Sequence, residues 1–403
     1  MDKVFDIYLA KQDQPESDAY AELSLPATPY QLQDTFDKLR LAEDEPPYWE
    51  ITEYHHFEEL SSLLNDTCGL NDLNALAQKL SELDERQCTA FAGLLAIEQR
   101  KKQPIPISRL IDLSYSTECC HVVEEALNDS QLGRFCAENG FCPEVDDLPD
   151  QVFDLLDFER LGREHRQREG GVLVNRTADH SGGYVEQRDK MLEVYKTLDL
   201  THKAPDYAVL LEVSKGFFND PGYDSGRTAQ LKLPASPETL NAALEAVGAW
   251  DWREAGWSCL DCRVPALTEM ISDAEEGIDH LNHLARRLAE MEPKALTAYK
   301  ALLEVTDCKE LQNAEALMDS LDKYIFSPQY SSPIEVAKGE LSVVLCNEDA
   351  ATLTPHLNLY QYGQALIQRC GGTLTAYGLI ERNDGQPVQT METQPRQGGM
   401  EMK

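Results

Sequence analysis

The sequence predicts an α+β protein made of two tandem copies of one unit, each copy an elongated string of small sheet-and-helix modules around a helical module. Three observations carry that expectation. The 403-residue chain repeats itself. Within each repeat the apolar residues switch between a period of two and a period of 3.6. No apolar run reaches the eighteen residues that a membrane-spanning helix requires. A chain of this length also exceeds one comfortable hydrophobic core, which agrees with a division into two.

The repeat is visible by self-comparison. Ala21-Glu-Leu-Ser-Leu-Pro-Ala-Thr-Pro29 recurs as Ala229-Gln-Leu-Lys-Leu-Pro-Ala-Ser-Pro237, Trp49 recurs as Trp257, and Leu73-Asn-Ala-Leu-Ala-Gln-Lys-Leu80 recurs as Leu281-Asn-His-Leu-Ala-Arg-Arg-Leu288. One gap-free alignment runs from Ala21–Ile97 onto Ala229–Val305, with roughly 19 identities in about 77 positions. After small gaps, Gly162 with Gly170-Gly171-x-Leu173 parallels Gly363 with Gly371-Gly372-x-Leu374. These matches place copy one at residues 1–190, a linker at 191–205, copy two at 206–384 and a disordered tail at 385–403. With its own apolar modules, each copy is expected to fold alone.

Copy one divides into a ββαβ module (about 1–60), a helical module (61–110) and an α+β module (111–190). Val4–Leu9 and Ala21–Leu25 alternate like strands, and Pro29 opens a helix with Leu32, Phe36 and Leu39 on one face. Tyr48–Tyr54 returns as a strand. Leu70, Leu73, Leu76, Leu80 and Leu83 keep a helical period, and Asp84–Ile97 forms a second helix. In the third module, helices are expected around His121–Leu127 and Gln151–His165, followed by strands after Gly170-Gly171.

Charge narrows the function classes. The net charge is −35, which disfavours direct binding to nucleic acid phosphates or anionic lipid and favours proteins with basic grooves. Duplex DNA carries one charge per roughly 1.7 Å of axis, so the protein's charge matches roughly 60 Å of duplex. Both copies share it: residues 1–205 hold 41 Asp and Glu against 20 Lys and Arg, and residues 206–403 hold 30 against 16. The densest stretch is Leu110–Glu159. There Asp112, Glu118, Glu124, Glu125, Asp129, Glu138, Glu144, Asp146, Asp147, Asp150, Asp154, Asp157 and Glu159 are set against Arg134 alone. Such density opposes folding by self-repulsion, so these thirteen carboxylates are the candidate partner-binding surface. A solvated helical face is the plainer alternative for each one. Copy two is milder in its counterpart region, where Lys309, Lys323 and Lys338 interrupt the acids.

Catalytic and metal-binding signatures are weak. Cys259-x-x-Cys262 lacks a second ligand pair, and its copy-one counterparts are Ile51 and Tyr54. His280 and His283 share a helix face with Glu276 nearby, but their counterparts are Asp72 and Ala75. There is no phosphate-binding loop or nucleophile elbow. The eleven cysteines are scattered and no secretory signal opens the chain, so free, packed thiols and a cytoplasmic location are expected. The expectation is a protein with no enzymatic activity, no metal and no cofactor.

The module order, together with Leu73-Asn74 through Leu95, Leu110-Ile-Asp-Leu113, Leu148 through Gly162 and Gly183-Tyr-Val-Glu186, resembles the ArdA antirestriction family. The likeness covers nearly all of each copy, carried by order, spacing and charge and not by one short signature. It implies an acidic, elongated mimic of bent B-form DNA, carried on mobile elements, that occupies the DNA groove of type I restriction-modification enzymes in a bacterial cell. Members usually hold one copy per chain and pair as homodimers, so the fused copies imply either a monomer acting as a pseudo-dimer or a homodimer. Other targets remain open: another defence nuclease such as a CRISPR effector, or service as an acidic scaffold of a mobile element.

Overall fold

The computed structural model describes residues 2–12, 19–41, 45–64, 68–142, 145, 150–153, 155–175, 177, 181–201, 204–216, 227–346, 349 and 352–391. The protein is mixed α+β, with four small three-stranded antiparallel sheets among the described residues. The described elements come in two successive sets of similar order. The first runs β1 (Phe5–Lys11), β2 (Tyr20–Leu25), α1 (Pro29–Leu39), β3 (Pro47–Glu53), α2 (Leu70–Leu80), α3 (Glu85–Gln99), α4 (Ile107–Tyr115), β4 (Cys120–Val123), α5 (Asp129–Glu138), α6 (Asp150–Phe153), α7 (Phe158–Glu169), β5 (Val172–Val174) and β6 (Gly183–Gln187). The second runs β7 (Val209–Lys215), β8 (Thr228–Leu233), α8 (Pro237–Val247), β9 (Ala255–Cys262), α9 (Thr268–Ser272), α10 (Ile278–Glu290), α11 (Pro293–Thr306), α12 (Leu311–Asp319), β10 (Tyr324–Ser327), α13 (Pro333–Val344), α14 (Leu359–Cys370), β11 (Thr373–Thr375) and β12 (Gly378–Arg382).

Local chemistry explains the shared elements. Thr28 and Ser236 cap α1 and α8, each followed by proline in the first helical turn, where the missing N–H is harmless. Asn74 on α2 brackets Ala27, accepting from its N–H at 2.8 Å and donating to its carbonyl at 3.0 Å. Asn282 on α10 does the same to Ala235, at 2.7 and 3.0 Å. The repeated Leu-Asn pair is thus a clamp between a helix and the end of a strand. The apolar faces of α2 (Leu70, Leu73, Leu76, Leu80) and α10 (Ile278, Leu281, Leu284, Leu288) are buried, as their period requires.

The third modules repeat a three-stranded order, β4-β6-β5 and β10-β12-β11, in the same register: His121 faces Glu186 as Ile325 faces Glu381. His121–Val123 is a strand and not the expected helix, because its β-branched pair fits a half-buried sheet and Asn128 starts the helix only afterwards. The helix expected over Gln151–His165 is also divided: α6 ends at Phe153, and Asp157 caps α7. Glycines let the helices of these modules cross closely. A Cβ on Gly162 of α7 would collide with the Asp129 carbonyl on α5, and one on Gly363 of α14 with the Pro333 carbonyl on α13.

The chain forms two compact units: Met1–Ile7, Ser24–Ala27 and Trp49–His202 in unit 1; Tyr8–Leu23, Thr28–Tyr48 and Lys203–Lys403 in unit 2. The unit boundary therefore does not follow the sequence copies, since α1 belongs to the unit that holds copy two. Within unit 2, the α1 residue Asp34 binds Lys300 of α11 at 2.8 Å, and Asp37 binds it at 2.7 Å. The segment assigned to the linker is docked in unit 1. Met191 is buried, Tyr195 N–H donates to Asp112 at 2.9 Å, and Asn71 donates to the Leu200 carbonyl at 3.0 Å. Of the segment assigned to the tail, Val388 and Met391 pack on the unit 2 core, and Met391 N–H donates to the Thr306 carbonyl. The remainder, 392–403, lies outside the described residues. No helix among the described residues is long and apolar enough to cross a membrane.

Candidate functional site

The thirteen carboxylates singled out in the sequence belong to unit 1 and divide by environment. Glu118, Glu124, Glu125, Glu138, Asp157 and Glu159 are exposed. Asp112 and Asp129 are half-buried and engaged internally. Asp112 on α4 holds the Tyr195 N–H, and Asp129 at the start of α5 makes a two-pronged pair with Arg166 of α7 at 2.8 and 2.9 Å. Hydrogen bonds from Arg166, with Arg163 close by, keep the Asp129 carboxyl below its ordinary range. Glu144, Asp146, Asp147 and Asp154 lie outside the described residues, as does the side chain of Asp150.

The exposed members serve partly local ends. Asp157 caps α7 through the Arg160 N–H at 3.0 Å, Glu159 pairs with Arg163, and Glu118 accepts from Gln87 at 2.9 Å. The arginine run of α7, just beyond the acidic stretch, thus folds back on part of it. Exposed pairs of this kind contribute about 0–1 kcal/mol each and leave the carboxylates available to a stronger cation. Glu124 and Glu125 stand exposed in the turn after β4.

Unit 1 also buries an ionic cluster. The Glu186 carboxylate on β6 accepts from Tyr184 Oη at 2.9 Å and from Arg188 Nε at 2.9 Å, and lies 3.3 Å from His165 Nε2. Burial pushes its carboxyl up, but the hydrogen bonds from His165, Arg188 and Tyr184 outweigh that and bring it down to about 2. Each polar group there is satisfied by a neighbour, and the cluster ties α7 to the β6 strand.

Unit 2 contains a feature that the sequence reading missed, an open cavity of about 1280 Å³. Its rim carries exposed Glu22, Glu269, Asp273, Glu275, Glu304, Asp307 and Glu310, drawn from β2, α9 and the turn after it, and the end of α11 with the residues beyond. Deeper lie Met270, Leu303, Cys308, Leu311 and Tyr377, with Lys300 at the base. Burial opposes charge on Lys300, but Asp34 and Asp37 outweigh it and raise its pKa. Asp34 is held below its ordinary range by Lys300 and Lys38 against the same burial. The base is therefore internally neutralised, and the field at the mouth comes from the rim, where exposed Lys309 pairs with Asp307 at 2.8 Å and offsets part of the acidic charge. The clues in the sequence were Asp273-Ala-Glu-Glu276 and Glu304, Asp307 and Glu310, short clusters that only the fold brings together.

The motifs weighed for metal chemistry have other roles. Cys259 and Cys262 are buried on β9; Cys259 Sγ contacts the Asp261 carbonyl at 3.5 Å, and burial with the nearby Asp261 pushes its thiol to about 12. His280 Nε2 lies 2.9 Å from Glu315, while Glu276 accepts from Gln312 at 3.1 Å. No protein-family model matches the chain, and no curated protein matches it.

Proposed function

We propose that this protein is a non-catalytic, cytoplasmic DNA mimic of the ArdA type, which inhibits a type I restriction-modification enzyme by occupying its DNA-binding groove. The observation that carries the proposal is the display of exposed carboxylates on both units: the third-module face of copy one, and the seven-carboxylate rim in unit 2. A basic groove evolved for phosphates would meet fixed negative charge on each, and relief of the protein's self-repulsion would favour the complex. The net charge of −35 supports steered association that weakens as salt screens it.

The test is displacement of labelled duplex DNA from a purified type I complex at two salt concentrations. The expected result is displacement that weakens at the higher salt. Reversing Glu118, Glu124, Glu125 and Glu138 to Lys, or Glu269, Asp273 and Glu275 to Lys, is expected to weaken displacement at least tenfold, about 1.4 kcal/mol. Circular dichroism should be unchanged, because these residues are exposed. No displacement by the wild type would reject this target and turn the search to CRISPR effectors and other defence nucleases. Displacement insensitive to both reversals would reject the acidic surfaces as the means.

A further inference from the structure

Outside the acidic surfaces, unit 1 brings together three side chains of metal-binding type. Asp6 comes from β1, Glu53 ends β3 and His55 follows it; each offers a ligand atom, and these atoms all lie within 4.8 Å of one another. Among the described residues this is the one such His, Cys, Asp and Glu group. His55 Nε2 is 2.8 Å from Asp6 Oδ2, and its Nδ1 is 3.6 Å from Glu53 Oε1. Asp6 and His55 are half-buried and Glu53 is exposed, so solvent reaches the cluster.

The second oxygen of Asp6 is held separately. Ser24 Oγ donates to Asp6 Oδ1 at 2.5 Å, and Lys3 Nζ lies 3.5 Å from the same oxygen. These contacts fix the carboxylate plane and leave Oδ2 directed at the imidazole. An outer group that orients a ligating carboxylate is the usual support of a metal ligand. A zinc-sized ion binds nitrogen and oxygen at roughly 2.0–2.2 Å, so its ligand atoms stand closer together than the present outer limit. Small side-chain adjustments would open the Asp6–His55 contact from 2.8 Å to the roughly 3.4 Å that separates tetrahedral ligand atoms, draw in Glu53, and leave at least one coordination position to water.

We infer that Asp6, Glu53 and His55 form a binding site for one divalent transition-metal ion, which ties the start of β1 to the end of β3. Copy two does not reproduce the site. Val4 and Ala208 donate their N–H to Leu25 and Leu233, which aligns Asp6 with Leu210, and the gap-free alignment pairs Glu53 with Asp261 and His55 with Arg263. The stoichiometry is therefore one tight ion per chain, although both copies are acidic.

The test uses the full chain, freed of metal by chelation and titrated calorimetrically with Zn²⁺ in enough salt to screen diffuse binding. One saturable site per chain is expected, with a metal-dependent rise in Tm. Asp6→Asn and His55→Gln should each lose the site and the rise in Tm while keeping the circular dichroism of the wild type. Lys3→Ala, at an exposed position, removes a competing cation and should tighten binding several-fold. The absence of a saturable site, its survival in both ligand variants, or unchanged affinity in Lys3→Ala would each overturn the assignment. Should the ligand variants fail to fold, Co²⁺ added to the wild type must shift the His55 imidazole resonances; unshifted resonances would overturn it as well.

Discussion

Each unit buries an ionic cluster, and most members of each have an apolar or uncharged counterpart in the other sequence copy. The exceptions are Glu186, matched by Glu381, and Asp37, matched by Glu245. Around Glu186 in unit 1 stand His121, His165, Tyr184 and Arg188; the counterparts in copy two, by strand register and the glycine alignment, are Ile325, Leu366, Leu379 and Asn383. Around Lys300 in unit 2 stand Asp34 and Lys38, with Tyr377 donating to Asp34 at 2.9 Å; the counterparts of Lys300, Asp34 and Lys38 are Ala92, Ala242 and Ala246. The two copies thus hold one plan of strands and helices without either cluster being common to both. Register, glycine crossings and the asparagine clamps are common to both, and those features specify the fold. The ionic clusters are local additions, consistent with the general finding that well-packed apolar residues can replace a buried ion group at little cost, whereas removing one partner is expensive.

That distinction can be broken most sharply at Lys300. Lys300→Met should destabilise unit 2 by about 3–5 kcal/mol, because Asp34 and Asp37 lose their shared buried cation. Chemical denaturation of the full chain reads the loss; less than about 1 kcal/mol would show that the cluster does not hold α1 in place. The expectation that copy two folds alone is correspondingly changed: residues 206–384 without α1 leave Lys300 buried and without its carboxylates, and should be less stable than the same residues with 8–48 present. The shared features should fail alike in both copies. Gly162→Ala and Gly363→Ala each force a Cβ into a facing carbonyl, and each is expected to cost about 1–3 kcal/mol or more. A loss confined to one copy would show that the two crossings are not equivalent.

Much of this plan was legible in the sequence because it is carried by local rules. The leucine period of α2, the Thr28-Pro29 start of α1 and the self-alignment through Asn74 and Asn282 all survive in the structure. The third module was less legible. His121–Val123 is short and apolar, a stretch whose type periodicity does not decide, and its partner strand β6 lies some sixty residues away. The acidic stretch was legible as charge but not as arrangement: the reading stopped at Glu159, just short of Arg163 and Arg166, which return to Glu159 and Asp129. The rim in unit 2 was legible only as separate short acidic clusters and not as one surface, since no single segment supplies it. Nor was the joining of α1 to unit 2, because a lysine in an otherwise ordinary helix gives no sign that two aspartates some 260 residues earlier will bury it.

The smallest expected effect tests the unit 1 cluster by pH. The Glu186 carboxyl is lower in the folded protein, at about 2, than its ordinary value of 4.5. On acidification the unfolded chain therefore takes up that proton first. The stability from Glu186 is fully present above pH 4.5 and is lost as pH falls towards about 2. The groups facing it from β4, α7 and β6 are His121, His165, Tyr184 and Arg188; none of them is a carboxylate that would titrate in the same window. Glu186→Gln keeps the shape and an acceptor for Tyr184 but removes the charge. Its deficit in unfolding free energy against the wild type should be present above pH 4.5 and shrink as pH drops from 4.5 towards about 2. If the deficit is the same at both ends of that range, the cluster acts through packing alone, and the contrast with copy two, where Glu381 lacks these partners, loses its electrostatic content.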